Sequence, residues 1–270
     1  MSHISRIGFI GGGNMAVALI NGLLQGRWSG EHITVADVAP GRAAEVARQF
    51  GVQAAADNLS AVAHADVVVL AVKPAQVSKV LDDIRHVLPS HALVISIAAG
   101  VGLAALRAHL DALQPLIRVM PNTPALVGAG VSVLCAAEGT ALPAVQLAET
   151  LLGAVGQTAV VQDEGLMDAV TALSGSGPAY VYLMAEALSD GGVACGLPRP
   201  LADQLAVGTL LGSARLLAQG QHPGVLKNQV TSPGGTTLAG LRVMEDRGVR
   251  GALMAAVEAA WRRSRELGGR

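Results

Sequence analysis

The pattern of apolar and polar positions divides this chain into two parts. Up to about residue 162, short runs of Val, Ile, Leu and Ala alternate with longer stretches that have helical spacing. Continuous apolar strands separated by helices predict a mostly parallel sheet that is covered on both faces. The predicted strands are residues 4–10, 32–36, 52–54, 67–71, 93–97, 116–119, 131–134 and 158–161.

After Asp163 no further strand is convincing, and the pattern predicts helices only. Gly, Ser and Pro clusters separate these helices, beginning with a predicted Gly/Ser turn at residues 174–178. We therefore predict an α/β fold class. A Rossmann-type, mostly parallel domain at residues 1–162 is followed by an all-helical domain at residues 163–270.

Composition narrows the class of protein. The chain is 51% hydrophobic with a formal net charge of −1, which argues against nucleic acid or an acidic membrane as the main partner. Cys135 and Cys195 are the only cysteines, and they form no CxxC, which suits a reducing compartment. Without a leader sequence or a long apolar run, we expect a cytoplasmic protein.

The start of the helical part carries little charge. A monomeric helical domain would need a more polar surface, so we expect these helices to pack on another subunit. Between residues 165 and 217 the charged residues are Asp168, Glu186, Asp190, Arg199, Asp203 and Arg215.

A glycine-rich turn follows the first predicted strand. Gly11, Gly13 and Ala16 form Gly-x-Gly-x-x-Ala between that strand and a helix. In a dinucleotide-binding turn the first glycine allows the tight bend, the second lets a pyrophosphate approach, and the small third residue allows close packing. This context favours dinucleotide binding over an ordinary glycine turn.

The end of the second strand gives conflicting evidence on the cofactor. Asp37 is placed to bond the adenosine ribose and to repel a 2′-phosphate, which favours NAD. Arg42, at the start of the next helix, could instead bind that phosphate, and Asp37 could be only a cap or turn residue. The choice between NADH and NADPH stays open.

Three further loops follow strands in this half, at residues 71–74, 98–100 and 120–124. Because ligands of such sheets bind at the carboxyl ends of the strands, we expect all three to line the cofactor crevice. Asn122 is therefore a predicted cofactor residue. Lys73 is either a proton donor, a charge facing the ligands, or a solvated lysine.

Residues 231–237 form a second candidate site. We predict that a helix starts within them, with Ser232 as N-cap, Pro233 as first residue, and Gly234 and Gly235 in the first turn. Side-chain-free amides at the positive end of a helix suit a carboxylate. Thr236 and Thr237 add hydroxyls, although a flexible loop before a helix would show the same glycines.

Eight segments carry a resemblance to a known family: residues 8–15, 71–74, 96–100, 120–124, 174–180, 222–227, 232–237 and 244–245. Together they resemble the pyrroline-5-carboxylate reductase family over nearly the whole chain. The resemblance implies hydride transfer from NADPH or NADH to the C=N bond of 1-pyrroline-5-carboxylate, which gives L-proline. It also implies a Rossmann domain followed by a helical domain for substrate binding and dimerisation, interlocked dimers, and often a decamer.

The same resemblance implies roles for individual residues. Thr237 would lie near the ring nitrogen as the catalytic residue, and Ser232, Gly234, Gly235 and Thr236 would complete the substrate site. Gly220 stands where some relatives carry an acid that reaches a neighbouring subunit, which puts that contact in doubt. The cofactor would be held by Gly11, Gly13, Asn14, Met15, Asn58, Ala71, Lys73, Pro74, Ala98 and Gly100, in addition to Asp37 and Asn122.

The residues suit imine reduction, which needs mainly orientation and a counter-charge for a carboxylate. The seven histidines are scattered, so no metal site is expected. One alternative is a β-hydroxyacid dehydrogenase or ketopantoate reductase, but its usual lysine is missing from the glycine-rich turns, and Lys227 precedes a different turn. Another is a non-catalytic NAD-binding regulator.

Overall fold

The computed structural model describes residues 6–269, which form two compact units. The first unit consists of the chain up to Gly175 together with the residues from Ala260 onward. The second unit comprises Ser176–Ala259. Because Val249–Leu267 is one continuous helix, the same helix begins in the second unit and ends in the first.

The first unit contains an eight-stranded sheet in the order β3-β2-β1-β4-β5-β6-β7-β8. All neighbouring strands are parallel except β6 and β7, which are antiparallel. Each predicted strand is present with slightly different ends, and residues 4 and 5 of the first lie outside the described part. The strands are Ile7–Ile10 (β1), Ile33–Ala36 (β2), Gln53–Ala54 (β3), Val67–Leu70 (β4), Leu93–Ser96 (β5), Leu116–Met120 (β6), Gly130–Ala136 (β7) and Gly156–Val161 (β8).

Helices cover the sheet and make up the second unit. Those of the first unit are Asn14–Gln25 (α1), Arg42–Phe50 (α2), Asn58–Val62 (α3), Val77–Ile84 (α4), Leu103–Arg107 (α5), Leu142–Gly153 (α6) and Met167–Val170 (α7). The remaining helices are Gly177–Ala194 (α8), Arg199–Leu217 (α9), Pro223–Gln229 (α10), Thr236–Asp246 (α11) and Val249–Leu267 (α12).

The strands are buried on both faces, as continuous apolar runs predict. Alternate residues of β1 belong to different core clusters: Ile7 and Phe9 pack with Leu19 and Ile20 of α1, whereas Ile10 packs with Val62 of α3. Helices are therefore required on both sides of the sheet, and the predicted α/β architecture is confirmed.

The strand order places the candidate cofactor crevice. β1 lies between β2 and β4, so the chain leaves the sheet on opposite sides after β1 and β4. In doubly wound sheets ligands bind at this switch point, outside the carboxyl ends of the strands. The glycine turn after β1 and the loop after β4 meet there, since the Ala71 N–H donates to the Ile10 carbonyl at 2.8 Å.

The predicted Gly/Ser turn at residues 174–178 is wrong. Thr171–Gly175 is a π-helical turn that follows α7 directly, and α8 begins at Gly177. The Asn122 side chain lies 3.3 Å from the Ser174 carbonyl oxygen and stabilises this wider turn from outside. The Gly and Ser residues are thus held in a helical path by a contact from a distant segment.

In the second unit α8 and α9 pack on each other. Arg199 of α9 binds Asp190 of α8 at 2.7 Å, and the buried Ser189 donates to Asp203. Large apolar side chains remain on the surface of the single chain, which favours self-association. They include Leu183, Leu188, Leu205, Leu211, Leu238 and Met254.

Candidate active site

Gly11 ends β1 in a conformation that only glycine adopts easily. Its φ is +99°, and its N–H donates to the Ala36 carbonyl at 2.8 Å. A Cβ at this position would lie 2.5 Å from the Ala71 carbonyl oxygen. The first glycine of the turn is therefore fixed by the backbones of β2 and the loop after β4.

Gly13 has a different role, because it leaves space open. It is the N-cap of α1, with φ −71° and ψ 178°, and no side chain caps this helix. A Cβ on Gly13 would meet no protein atom within 4 Å. Amides at the positive end of a helix with open space before them fit the pyrophosphate of a dinucleotide.

A cavity of about 440 Å³ lies beside this turn. Its lining includes three residues that were not predicted from the sequence, Gln76, Lys79 and Asp83. They lie on the 3₁₀ turn and helix that follow Lys73, and their helical spacing is the pattern that could have revealed them. The predicted cofactor residues that line the cavity are Gly11, Gly13, Asp37, Asn58, Ala71 and Lys73.

Other predicted cofactor residues lie outside this lining. Asn14 is the exposed first residue of α1, and Met15 is half-buried against the core. Pro74 opens the 3₁₀ turn, Ala98 is buried in the core, and Gly100 has a φ of +76°. Their contact with a cofactor stays a prediction.

Asn122 is held by the protein's own atoms. Its side-chain oxygen accepts from the Val131 N–H at 2.8 Å, and its nitrogen lies 3.3 Å from both oxygens of Ser174. These contacts account for both ends of the side-chain amide. A direct bond from Asn122 to a cofactor stays a prediction.

Asp37 and Arg42 both hold the glycine turn. The Asp37 carboxylate accepts from the Gly12 N–H at 2.7 Å and from the Ala39 N–H at 2.8 Å. Arg42 Nε donates to the Gly12 carbonyl at 2.8 Å, and a terminal nitrogen binds Glu45 at 2.8 Å. Asp37 therefore stabilises the glycine turn, and it also lines the cavity.

A nearly buried ion pair supports the loop after β5. Arg118 of β6 binds Glu164 at 2.7 Å, and the same carboxylate oxygen accepts from the Leu103 N–H at 2.7 Å. Burial, followed by the charge of Glu164, raises the pKa of the Cys135 thiol. A protonated, buried thiol does not suit nucleophilic catalysis.

The candidate substrate segment differs from the prediction in where its helix starts. Residues 232–235 form a turn that the Gly235 N–H closes on the Ser232 carbonyl at 3.0 Å, with φ +69° at Gly234. Pro followed by a glycine with positive φ is typical of a type II turn. Ser232 is thus not the N-cap, Pro233 is not the first helical residue, and neither glycine lies in the first turn.

Helix α11 begins at Thr236, with Gly235 as its N-cap. Gly235 has no side chain to offer, and no side chain caps the helix. The N–H groups of Thr236, Thr237 and Leu238 therefore lie at an uncapped positive end. Thr237 is half-buried and Thr236 is exposed. We expected the bare amides at Gly234 and Gly235, but the uncapped N–H groups belong to the residues that follow these glycines.

His222 caps the preceding helix. Its Nδ1 accepts from the Gly224 N–H at 3.1 Å at the start of α10. Within residues 6–269, His, Cys, Asp and Glu side chains form no group of three that could hold a metal ion. In that same part of the chain, no helix has both the length and the apolarity needed to span a membrane.

The family model described as pyrroline-5-carboxylate reductase dimerisation matches residues 164–267. A model described as NADP oxidoreductase, coenzyme F420-dependent, matches residues 6–100. A pyrroline-5-carboxylate reductase of Arabidopsis thaliana is 44% identical over 264 residues, which are 97% of this chain and 95% of that protein. The chain belongs to the pyrroline-5-carboxylate reductase family.

Solved structures of the pyrroline-5-carboxylate reductase family share this fold. The enzyme from Coxiella burnetii has a TM-score of 0.93 and 37% identity, over 98% of this chain and 99% of that one. The Plasmodium falciparum enzyme, solved with NADP bound, has a TM-score of 0.87 and 32% identity over 98% of each chain. The resemblance, the fold class and the oxidoreductase class that we predicted are confirmed, and the dimerisation model confirms self-association.

Proposed function

We propose that this chain reduces 1-pyrroline-5-carboxylate to L-proline with NADPH or NADH. The observation that carries the proposal is the uncapped start of α11, where three amides follow a glycine N-cap in a chain of this family. The proposed domains are residues 1–162 for the dinucleotide and residues 163–270 for substrate and dimerisation.

The substrate carboxylate would bind the amides of Thr236, Thr237 and Leu238. A carboxylate is the charge that the start of a helix favours, and hydrogen bonds to an ionised group are shorter and stronger than neutral ones. Ser232 and Gly235 shape this end of the helix, because a side chain at Gly235 would collide with the Ser232 hydroxyl.

The Thr237 hydroxyl would hold the ring nitrogen. A protonated imine is already electrophilic, and its reduction gives an amine that is basic in its own right. Little acid–base chemistry is therefore required from the protein, and orientation of the reactants can supply roughly 7–11 kcal/mol of the barrier. This is consistent with a candidate site that has no cysteine or histidine nucleophile.

At the cofactor end, Gly11, Gly13, Asn14 and Met15 form the turn and first residues of α1. Their amides would hold the pyrophosphate, Asn58 and Asp37 the adenosine side, and Lys73, Pro74, Ala98 and Gly100 the remainder. When bound, the reduced nicotinamide supplies the hydride. The protein's part is to bind and orient the dinucleotide along the crevice of the sheet.

The assembly is also part of the proposal. Apolar side chains exposed on α8 and α9, such as Leu183 and Leu211, support an interlocked dimer. Such dimers would assemble further into a decamer. The net charge of −1 argues against nucleic acid or a membrane as partner. Two free cysteines fit a cytoplasmic location.

The first experiment compares pyrroline-5-carboxylate with 1-pyrroline, which lacks the carboxylate, in steady-state assays of NADH and of NADPH oxidation. We expect kcat/KM for 1-pyrroline to be at least ~100-fold lower, since about 3 kcal/mol of charge-assisted hydrogen bonding is lost. Equal rates with both imines would contradict the carboxylate site. Activity on hydroxyacids alone would favour the dehydrogenase alternative, and cofactor binding without turnover would favour a regulator.

A matched pair of variants tests Thr237. We expect Thr237→Ala to lower kcat roughly 10- to 100-fold, the loss expected for one hydrogen bond to a charged group. The dissociation constants of NADH and NADPH should stay within about twofold of wild type. Thr231→Val is the control, because its hydroxyl donates to the Lys227 carbonyl at 2.7 Å instead. Equal losses of turnover and cofactor affinity in Thr237→Ala would place Thr237 at the cofactor.

A further inference from the structure

The end of β2 carries a fixed negative charge. Both oxygens of the Asp37 carboxylate are oriented by backbone donors, Gly12 N–H at 2.7 Å and Ala39 N–H at 2.8 Å. Each carboxylate oxygen can accept a second hydrogen bond. Because Asp37 lines the 440 Å³ cavity, these remaining positions suit two neighbouring hydroxyls of a ribose.

The nearby cation is already neutralised. Arg42 bonds the Gly12 carbonyl through Nε and the Glu45 carboxylate through a terminal nitrogen, each at 2.8 Å. Asp37, Arg42 and Glu45 together therefore carry a net charge of −1. A 2′-phosphate brings further negative charge to this end of the crevice, and Arg42 is not among the residues that line the cavity.

We propose that Asp37 makes NADH the preferred dinucleotide of this chain, and that Arg42 supports the glycine turn rather than binding a phosphate. The inference deepens the proposed function, on which it rests. The two lysines of the cavity, Lys73 and Lys79, share its lining with the carboxylates of Asp37 and Asp83.

The test uses fragments without nicotinamide, so it does not depend on imine reduction. Calorimetry should show that ADP-ribose binds the full-length protein at least tenfold more tightly than 2′-phospho-ADP-ribose. In Asp37→Ser the ratio of the two dissociation constants should fall at least tenfold. Asp82→Asn, a carboxylate of α4 that contacts His109 at 2.8 Å and lies outside the cavity lining, should leave the ratio within about twofold.

Arg42→Ala separates the two roles of the arginine. As a support of the turn, its loss should weaken both fragments by a similar factor and leave their ratio unchanged. A selective loss of 2′-phospho-ADP-ribose would show that Arg42 binds the phosphate and would overturn the proposal.

The wild-type ratio alone is decisive if Asp37→Ser does not fold. Tighter binding of the 2′-phosphate fragment, lost in Lys79→Gln, would show that a lysine governs the choice, and would overturn the proposal. If both fragments bind as expected and pyrroline-5-carboxylate is not reduced, the cofactor inference stands and only the proposed function fails.

Discussion

Two glycines of the same turn should respond in opposite ways to an added methyl group. At Gly11 the methyl would meet the Ala71 carbonyl oxygen at 2.5 Å, in a residue with φ +99°. At Gly13 it would meet no protein atom within 4 Å, at an ordinary φ of −71°. Gly11→Ala should therefore damage the fold, and Gly13→Ala should damage cofactor binding.

The magnitudes follow from these contacts. Strained backbone costs about 1–3 kcal/mol, and the collision with a backbone oxygen adds to it, so Gly11→Ala should lose about 3 kcal/mol or more. Gly13→Ala replaces a glycine N-cap and should lose roughly 1 kcal/mol or less. Its methyl would stand between the amides of α1 and the pyrophosphate, and should raise the dissociation constants of NADH and NADPH roughly tenfold or more, about 1.4 kcal/mol.

Urea unfolding gives the stability of both variants, and calorimetric titration with NADH and with NADPH gives the affinities. Wild-type affinity in a folded Gly13→Ala protein would refute the assignment of the pyrophosphate to this turn. Wild-type stability in Gly11→Ala would show that the backbone at residue 71 yields easily, contrary to the packing described here.

Two further predictions concern the nearly buried charges and the thiol of the first unit. Glu164→Gln leaves the buried Arg118 without its counter-charge and should lower the free energy of unfolding by about 1–3 kcal/mol in urea, more than Glu138→Gln at an exposed position after β7. Because burial raises the pKa of Cys135, the folded state holds that proton more tightly than the unfolded state does. The contribution of this protonated thiol to the free energy of unfolding is complete below the ordinary thiol pKa of about 8.5. It is lost as the pH rises through the higher pKa of the folded state. Wild-type stability should therefore fall more steeply above that pH than the stability of Cys135→Ala, and parallel curves would show that the thiol does not ionise on unfolding.

Local pattern determined much of this protein. The strands were predictable because a buried strand needs a continuous apolar run, and the glycine turn because Gly11 and Ala16 stand at a strand–helix junction. The start of α11 was mispredicted from equally local evidence. Pro233 and Gly234 fit a type II turn better than a first helical turn, since Gly234 takes a positive φ.

The tertiary structure decided which residues that are distant in the sequence come into contact. Asp37 and Arg42 were both plausible cofactor ligands, and only the fold shows that both bond Gly12, Asp37 at its N–H and Arg42 at its carbonyl. Glu164 reaches Leu103 and Arg118, and Asn122 reaches Ser174, through sheet order and helix packing. A one-dimensional pattern records whether a side chain prefers burial, whereas its hydrogen-bond partner depends on which strands become neighbours. The sequence alone therefore determined the elements and the turn, and the packing of the sheet decided the contacts that orient its charges.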